Sequence, residues 1–184
     1  YTINAVLSLY DSTVQISRFT DLHERVTDAI GALQDSSTSL DRYAREGQGF
    51  DLAQHNLSRT TVKTSLGAIR RQPLAESVQS GIRRADAAEE VWEAAADRVI
   101  AARGNSPPGE AFAMRDNREG PAVTRLRDTL LELETTFARG ESIAEARLKG
   151  NRDAAIHAFA SSGDACGPCG DAWALLASSG CASK

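Results

Sequence analysis

The residues best equipped for chemistry lie near the C-terminal end, at Cys166-Gly167-Pro168-Cys169, with Cys181 beyond them and His157 before them. A Cys-x2-Cys pair does thiol–disulfide chemistry when a helix N-terminus following a strand lowers the pKa of the first thiol. Here the lead-in is Ser161-Ser162-Gly163-Asp164-Ala165, which is no apolar strand, although Asp171 opens a short helical stretch. The same groups read as His-x8-Cys-x2-Cys-x11-Cys, four donors for a tetrahedral zinc ion, of which only the Cys-x2-Cys half has a familiar ligand spacing. Three cysteines cannot all pair within one chain. In an oxidising compartment the leading expectation for Cys166, Cys169 and Cys181 is one disulfide and one leftover thiol, with no metal and no cofactor.

Other chemistry-bearing groups are sparser. His23 and His55 are far apart in sequence, and both are expected on helix surfaces as solvated or seam-edge residues. Asp86, Glu89, Glu90, Glu93 and Asp97 make an acidic helix face. It lacks the repeated Glu-x-x-His pattern of di-iron bundles and reads as solvated. The chain has no Gly-rich phosphate loop, Gly-x-Ser-x-Gly or His-Glu-x-x-His, so no catalytic centre is expected. Ser36, Ser37, Thr38, Arg42 and Tyr43 lie on or beside an apolar seam. They could line a cleft in which a buried Arg meets an anionic ligand. The plainer reading, preferred here, is that Ser and Thr let helices approach while Arg42 reaches solvent.

The elements that must position these groups are helices. No proline occurs from Tyr1 to Gln72, and Leu22, Val26, Ala29, Leu33, Ser36, Leu40 and Tyr43 recur at alternating spacings of four and three. That is a heptad seam. Ile3, Val6 or Leu7, Tyr10 and Val14 extend the stripe upstream, with a register slip near Ser17. The first helix is predicted from about residue 3 to Glu46, stopped by Gly47-Gln48-Gly49. A second helix follows to Pro73, with Ala53, Leu57, Leu66 and Ile69 as its apolar positions. The third carries Val78, Ile82, Ala85, Ala88, Trp92, Ala96 and Val99, and ends at Gly104-Asn105-Ser106-Pro107-Pro108-Gly109. Residues 105–120 read as a loop with a helical turn near Ala111 to Met114. Gly120-Pro121 opens the last long helix, whose seam is Val123, Leu126, Leu130, Leu133, Phe137, Gly140, Ala144 and Arg147.

The expected fold class is all-α, an elongated antiparallel four-helix bundle with long first and second helices. Residues 1–160 would form it, and 161–184 a Cys-containing tail with a short helix at Asp171 to Ala177. The bulk composition agrees. Hydrophobic residues are 41% of the 184, but aromatics only 5%, which suits ridge-like Ala and Leu seams better than a sheet. The net charge of −4 is spread among interleaved signs, so no nucleic-acid partner is expected. No run reaches the ~20 apolar residues of a membrane span, and no signal peptide is evident. The first residue is Tyr1 rather than Met, which reads as a piece of a longer chain.

The stretch Asp35-Ser36-Ser37-Thr38-Ser39-Leu40-Asp41-Arg42-Tyr43-Ala44-Arg45-Glu46-Gly47 resembles one carried by bacterial extracytoplasmic four-helix sensor domains, the third class of CHASE domains. In that family it approximates Asp-Ala-Glu-Thr-Gly-x-Arg-Gly-Tyr-Leu-Leu-Thr-Gly near the end of the first helix. Asp35, Thr38, Tyr43 and Gly47 match in place; Ser37 stands where Glu is expected, and Arg42 comes one position late. Trp92 before Val99-Ile100-Ala101 and the segment from Gly120 to Phe137 resemble later helices of such domains, so the likeness covers about residues 1–148. It implies a non-enzymatic, ligand-sensing or signal-relaying module of a membrane-bound histidine kinase, cyclase or chemoreceptor. The domain would lie outside the cytoplasm, homodimeric in its parent and flanked by transmembrane segments. A small-molecule ligand would meet Asp35, Thr38, Arg42 and Tyr43.

Overall fold

The computed structural model describes residues 2–105 and 108–163; Cys166, Cys169, Cys181 and the helix expected at Asp171 to Ala177 lie outside the described residues. Apart from residues 47–48 and 71–75, every described residue is helical. The elements are α1 (Thr2–Glu46), α2 (Gly49–Arg70), α3 (Glu76–Asn105), α4 (Pro108–Met114), a π-helical turn (Arg115–Glu119) and α5 (Gly120–Gly163). The all-α class is as the heptad seams require.

Lengths differ from expectation. The long helices are the first and last, α1 with 45 residues and α5 with 44, whereas α2 has 22 and α3 has 30. Gly49 and Pro73 confine α2, because proline cannot continue a helix it follows. Gly150-Asn151 does not interrupt α5. A helical glycine costs only about 1 kcal/mol, and the Asn151 amide donates to the Ser8 and Ser12 hydroxyls of α1 at 2.8 and 3.2 Å. The α1–α2 corner is made by Gly47, whose φ of 74° only glycine adopts readily, with its N–H donating to Tyr43 O at 2.8 Å.

Residues 108–120, expected to be largely loop, are helical. Pro121 shapes how this run passes into α5. A proline there has no N–H for the Asn117 carbonyl and its ring crowds that carbonyl. The chain widens just before it into the π turn, where Gly120 N–H bonds the carbonyl of Arg115.

The described residues divide into two compact units, residues 17–141 and residues 2–16 with 142–163. The core of the first is one cluster drawn from four helices. It includes Leu22, Val26, Ala29 and Leu33 of α1, Val62, Leu66 and Ile69 of α2, Ile82, Ala85 and Trp92 of α3, and Leu126, Leu130 and Phe137 of α5. Full burial of a Val, Leu, Ile or Phe side chain among these stabilises by about 1.5–3 kcal/mol. A smaller cluster joins Leu40, Ala44, Ala96, Val99, Ala102 and Ala111. Paired positions run in opposite directions along neighbouring helices. Arg59 meets Asp97 while Arg70 meets Asp86 across α2 and α3, and Thr20 meets Glu141 while Thr27 meets Glu134 across α1 and α5.

The second unit packs through small side chains. Ser12, Ala144 and Ala155 are its buried residues among those described. Leu7, Tyr10 and Val14, expected to continue the apolar seam, are exposed, Tyr10 at 67%. Their stripe points away from the small residues that pair α1 with α5. No helix among the described residues is long and apolar enough to cross a membrane.

Candidate functional site

On α2 the buried positions are Asp51, His55, Ser58, Val62, Ser65, Leu66 and Ile69. Apart from Leu66 they follow one heptad register, and its N-terminal half is polar. Ala53 and Leu57, the apolar residues expected to face inward, are exposed. A buried polar group without a partner costs about 1–3 kcal/mol, and a buried Asp or His cannot readily turn back onto its own helix as a Ser hydroxyl can. Asp51 lies 3.7 Å from Arg42. His55 is fully buried rather than on the surface, and its Nδ1 lies 2.8 Å from the Ser36 hydroxyl and 3.2 Å from the Ser36 carbonyl.

Around His55 a polar cluster is assembled inside the core. Its ring meets Trp92 of α3 edge to face, with centroids 6.4 Å apart at 64°. Trp92 in turn faces Glu119 of the π turn, a carboxyl with no exposed surface. Burial pushes the Glu119 carboxyl up to about 7; Arg115, Trp92 and Ser37 pull against that shift, and Asp41 adds to it. His55 is driven the other way. Burial holds its pKa below 6.5, only partly offset by the Ser36 carbonyl, and Arg59 lowers it further against Asp97. The imidazole is therefore neutral near pH 7. His55 Nε2, Trp92 Nε1 and both Glu119 oxygens are buried without a hydrogen-bond partner of ordinary geometry. Native cores leave few such groups, and those they keep call for a physical reason.

Arg115 bridges the cluster to α1. Its Nε lies 3.4 Å from Asp41 and 3.7 Å from Glu119, its Nη1 3.1 Å from Asp116, and its Nη2 3.5 Å from the Ser37 hydroxyl. Asp41 has a second cation, Arg45, at 3.0 Å.

The residues expected to contact a ligand are placed differently. Asp35 and Thr38 are exposed on α1, with the Thr38 hydroxyl donating to the Gln34 carbonyl. Arg42 shares their face at helical spacing and pairs with Asp51, while Tyr43 packs on the smaller core cluster. The side chains that converge are instead their inward neighbours Ser36, Ser37 and Asp41. The acidic face of α3 is also not simply solvated. Arg59 holds Glu93 and Asp97 at 2.9 and 2.6 Å, Lys63 reaches Glu93 at 2.7 Å, and Glu89 is buried beside Arg70. It is an ion-paired seam between α2 and α3. His23 sits half-exposed between Glu134 and Glu141, at 3.8 and 3.7 Å.

Open clefts occur among the described residues. One, of about 330 Å³, lies by Gly81, Arg84, Glu132 and Thr136, with Arg84 and Glu132 paired across it at 2.9 Å. Another, of about 400 Å³, is lined in the second unit by Leu9, Ile16, Leu148, Lys149 and Arg152. Neither contains an expected ligand contact. Among the described residues no group of three or more His, Cys, Asp and Glu could hold a metal ion. The thiol and zinc readings centre on cysteines outside the described residues.

Glu119 and His55 escaped a search for apolar periodicity because both are polar residues in core positions. A signal existed for His55: stepping back from Ile69 and Val62 by sevens, fours and threes lands on Ser58, His55 and Asp51. None existed for Glu119, whose inward direction depends on the π turn. No family model, curated protein or solved structure matches the chain.

Proposed function

We propose that this chain is a sensory, signal-relaying domain from a bacterial membrane-bound receptor, its helices arranged as an antiparallel four-helix bundle. The observation that carries the reading is the convergence of Ser36, Ser37, His55, Trp92 and Glu119 inside the core, beside the Asp35 to Gly47 stretch that resembles the sensor signature. A purely structural bundle gains nothing from gathering polar groups in its core, whereas functional sites regularly depart from ideal packing. The opposed pairings of α2 with α3 and of α1 with α5 favour the bundle arrangement. Two continuous helices of 45 and 44 residues suit relay by small axial shifts.

In this reading the domain is not an enzyme and takes no cofactor. It sits outside the cytoplasm and is homodimeric within a histidine kinase, cyclase or chemoreceptor. Flanking segments enter the membrane, and a small-molecule ligand meets α1 at Asp35, Thr38 and Arg42 on its outer face and at Tyr43 beside it. Sequencing the parent gene on both sides of residues 1 and 184 tests it. Apolar spans of about 20 residues on both sides, with a kinase, cyclase or chemoreceptor module after the second, are expected. A start codon just before Tyr1 and a stop just after Lys184 would sink the reading.

One observation favours a second reading, an adaptor bundle that binds partner proteins. Leu7, Tyr10 and Val14 form an exposed apolar stripe at helical spacing on α1. A solution mass that rises with concentration, with no response to small molecules, would select it.

A further inference from the structure

We infer that Glu119 is a proton-operated switch: its carboxyl competes with Asp41 for Arg115, so that gain or loss of one proton decides whether Arg115 ties the π turn to α1. The cluster itself supplies the argument. Arg115 has a single Nε–H, and two carboxylates stand near it, Asp41 at 3.4 Å and Glu119 at 3.7 Å. One N–H cannot serve both well, and Arg115 Nε has no hydrogen bond of ordinary geometry to either.

The two acids are not equivalent. Asp41 is part-exposed and holds Arg45 at 3.0 Å, so it keeps a counter-ion when Arg115 leaves. Glu119 has no exposed surface. An ionised carboxylate there is costly unless a cation comes to it. With Glu119 protonated, Arg115 is free to stay with Asp41 and the Ser37 hydroxyl on α1. With Glu119 ionised, the guanidinium is drawn toward it and away from α1.

Groups facing Glu119 come from several elements. Asp41 and Ser37 lie on α1, Trp92 on α3 and Arg115 on its own turn. From α2, His55 abuts Trp92 and is itself influenced by Arg59 and Asp97. Of these, Asp41 favours the protonated form, while Arg115, Trp92 and Ser37 favour the ionised one. The π turn holds both ends of the device, since Arg115 and Glu119 are one helical turn apart and Gly120 closes on the Arg115 carbonyl. The switch does not depend on a sensory role; it would operate in an adaptor bundle as well.

The test is NMR of the full chain carrying Trp173→Phe, with carboxyl-13C-labelled glutamate and 15N label, titrated from pH 5 to 9. One glutamate carboxyl is expected to titrate with a midpoint of about 7. The Arg115 Nε and Trp92 Nε1 signals should move with the same midpoint. Glu119→Gln should abolish all three movements, and Asp41→Asn should lower the midpoint by on the order of half a unit by removing a like charge. Should Glu119→Gln fail to fold, the Arg115 Nε movement and the Asp41→Asn shift decide together. A carboxyl that titrates while Arg115 Nε stays still overturns the proposal. So does the absence of any glutamate titrating above pH 6, or a midpoint indifferent to Asp41→Asn.

Discussion

His55 Nδ1 lies 2.8 Å from the Ser36 hydroxyl, which makes a fully buried imidazole part of the α1–α2 interface. Its pKa is held below 6.5, mainly by burial. The sign of the resulting pH dependence follows. Between the lowered folded pKa and 6.5 the unfolded chain binds more protons, so stability is complete above 6.5 and declines as pH falls below it. His55→Gln is expected to remove that part of the acid decline. Ser36→Ala is expected to cost about 1 kcal/mol at pH 7 by taking one partner from the ring. Urea denaturation at pH 5 and pH 7 checks both. An acid decline unchanged by His55→Gln would show that other groups govern it.

Glycines in α5 give a prediction of opposite signs. At Gly140 an added Cβ would stand 2.6 Å from Phe19 Cε1, inside the packed ring, whereas at Gly150 it would meet nothing within 4 Å. Gly150→Ala is expected to stabilise by up to about 1 kcal/mol through helix propensity alone. Gly140→Ala is expected to destabilise by about 1–2 kcal/mol, because crowding exceeds the propensity gain. In a Phe19→Leu background, where the ring is gone, Gly140→Ala should become neutral or stabilising. A double-mutant cycle followed by thermal unfolding reads all three. An additive cycle would mean that Phe19 and Gly140 do not touch in solution.

How far the sequence disclosed this arrangement depends on what carried the signal. Leu22, Val26, Ala29, Leu33 and Leu40 announced their burial through spacing, and all are buried. Ile82, Ala85, Trp92 and Val99 on α3, and Leu126, Leu130 and Phe137 on α5, did the same. Gly47 announced the corner, since a residue with φ of 74° is nearly always glycine. Hydrophobicity fails as a guide where a polar residue occupies a core register, and so Ala53 and Leu57 were expected inside while His55 and Asp51 took the places. The π turn was illegible for another reason. Pro121 reads equally well as a helix start or as a proline accommodated by a widened turn, and only packing around Ala111 and Glu119 chooses. Asp35, Thr38 and Arg42 share a helical face with one another, but spacing alone could not say that this face is exposed.

The α2–α3 seam yields the last prediction. Arg59 Nε lies 2.9 Å from Glu93 and its Nη1 2.6 Å from Asp97, while Lys63 adds a second cation to Glu93 at 2.7 Å. Burial works against the Glu93 carboxylate, yet hydrogen bonds from Arg59 and Lys63 more than offset it and hold its pKa below 4.5. Because that pKa is depressed, the contribution is complete above 4.5 and is lost as pH falls through the folded value. Surface ion pairs typically contribute under about 1 kcal/mol, but both Arg59 and Glu93 are less than one-fifth exposed, so Arg59→Met is expected to cost about 1–2 kcal/mol at pH 7. The loss should shrink as pH falls through the folded value, where Glu93 takes up its proton. Lys63→Met, at an exposed cation, should cost less than half as much. Denaturant melts of both variants, stepped downward in pH from 7 until the Glu93 carboxyl is seen to protonate, measure this. Losses from Arg59→Met that stay equal on both sides of that protonation would assign its role to packing of the side-chain stem, and not to the ion pair.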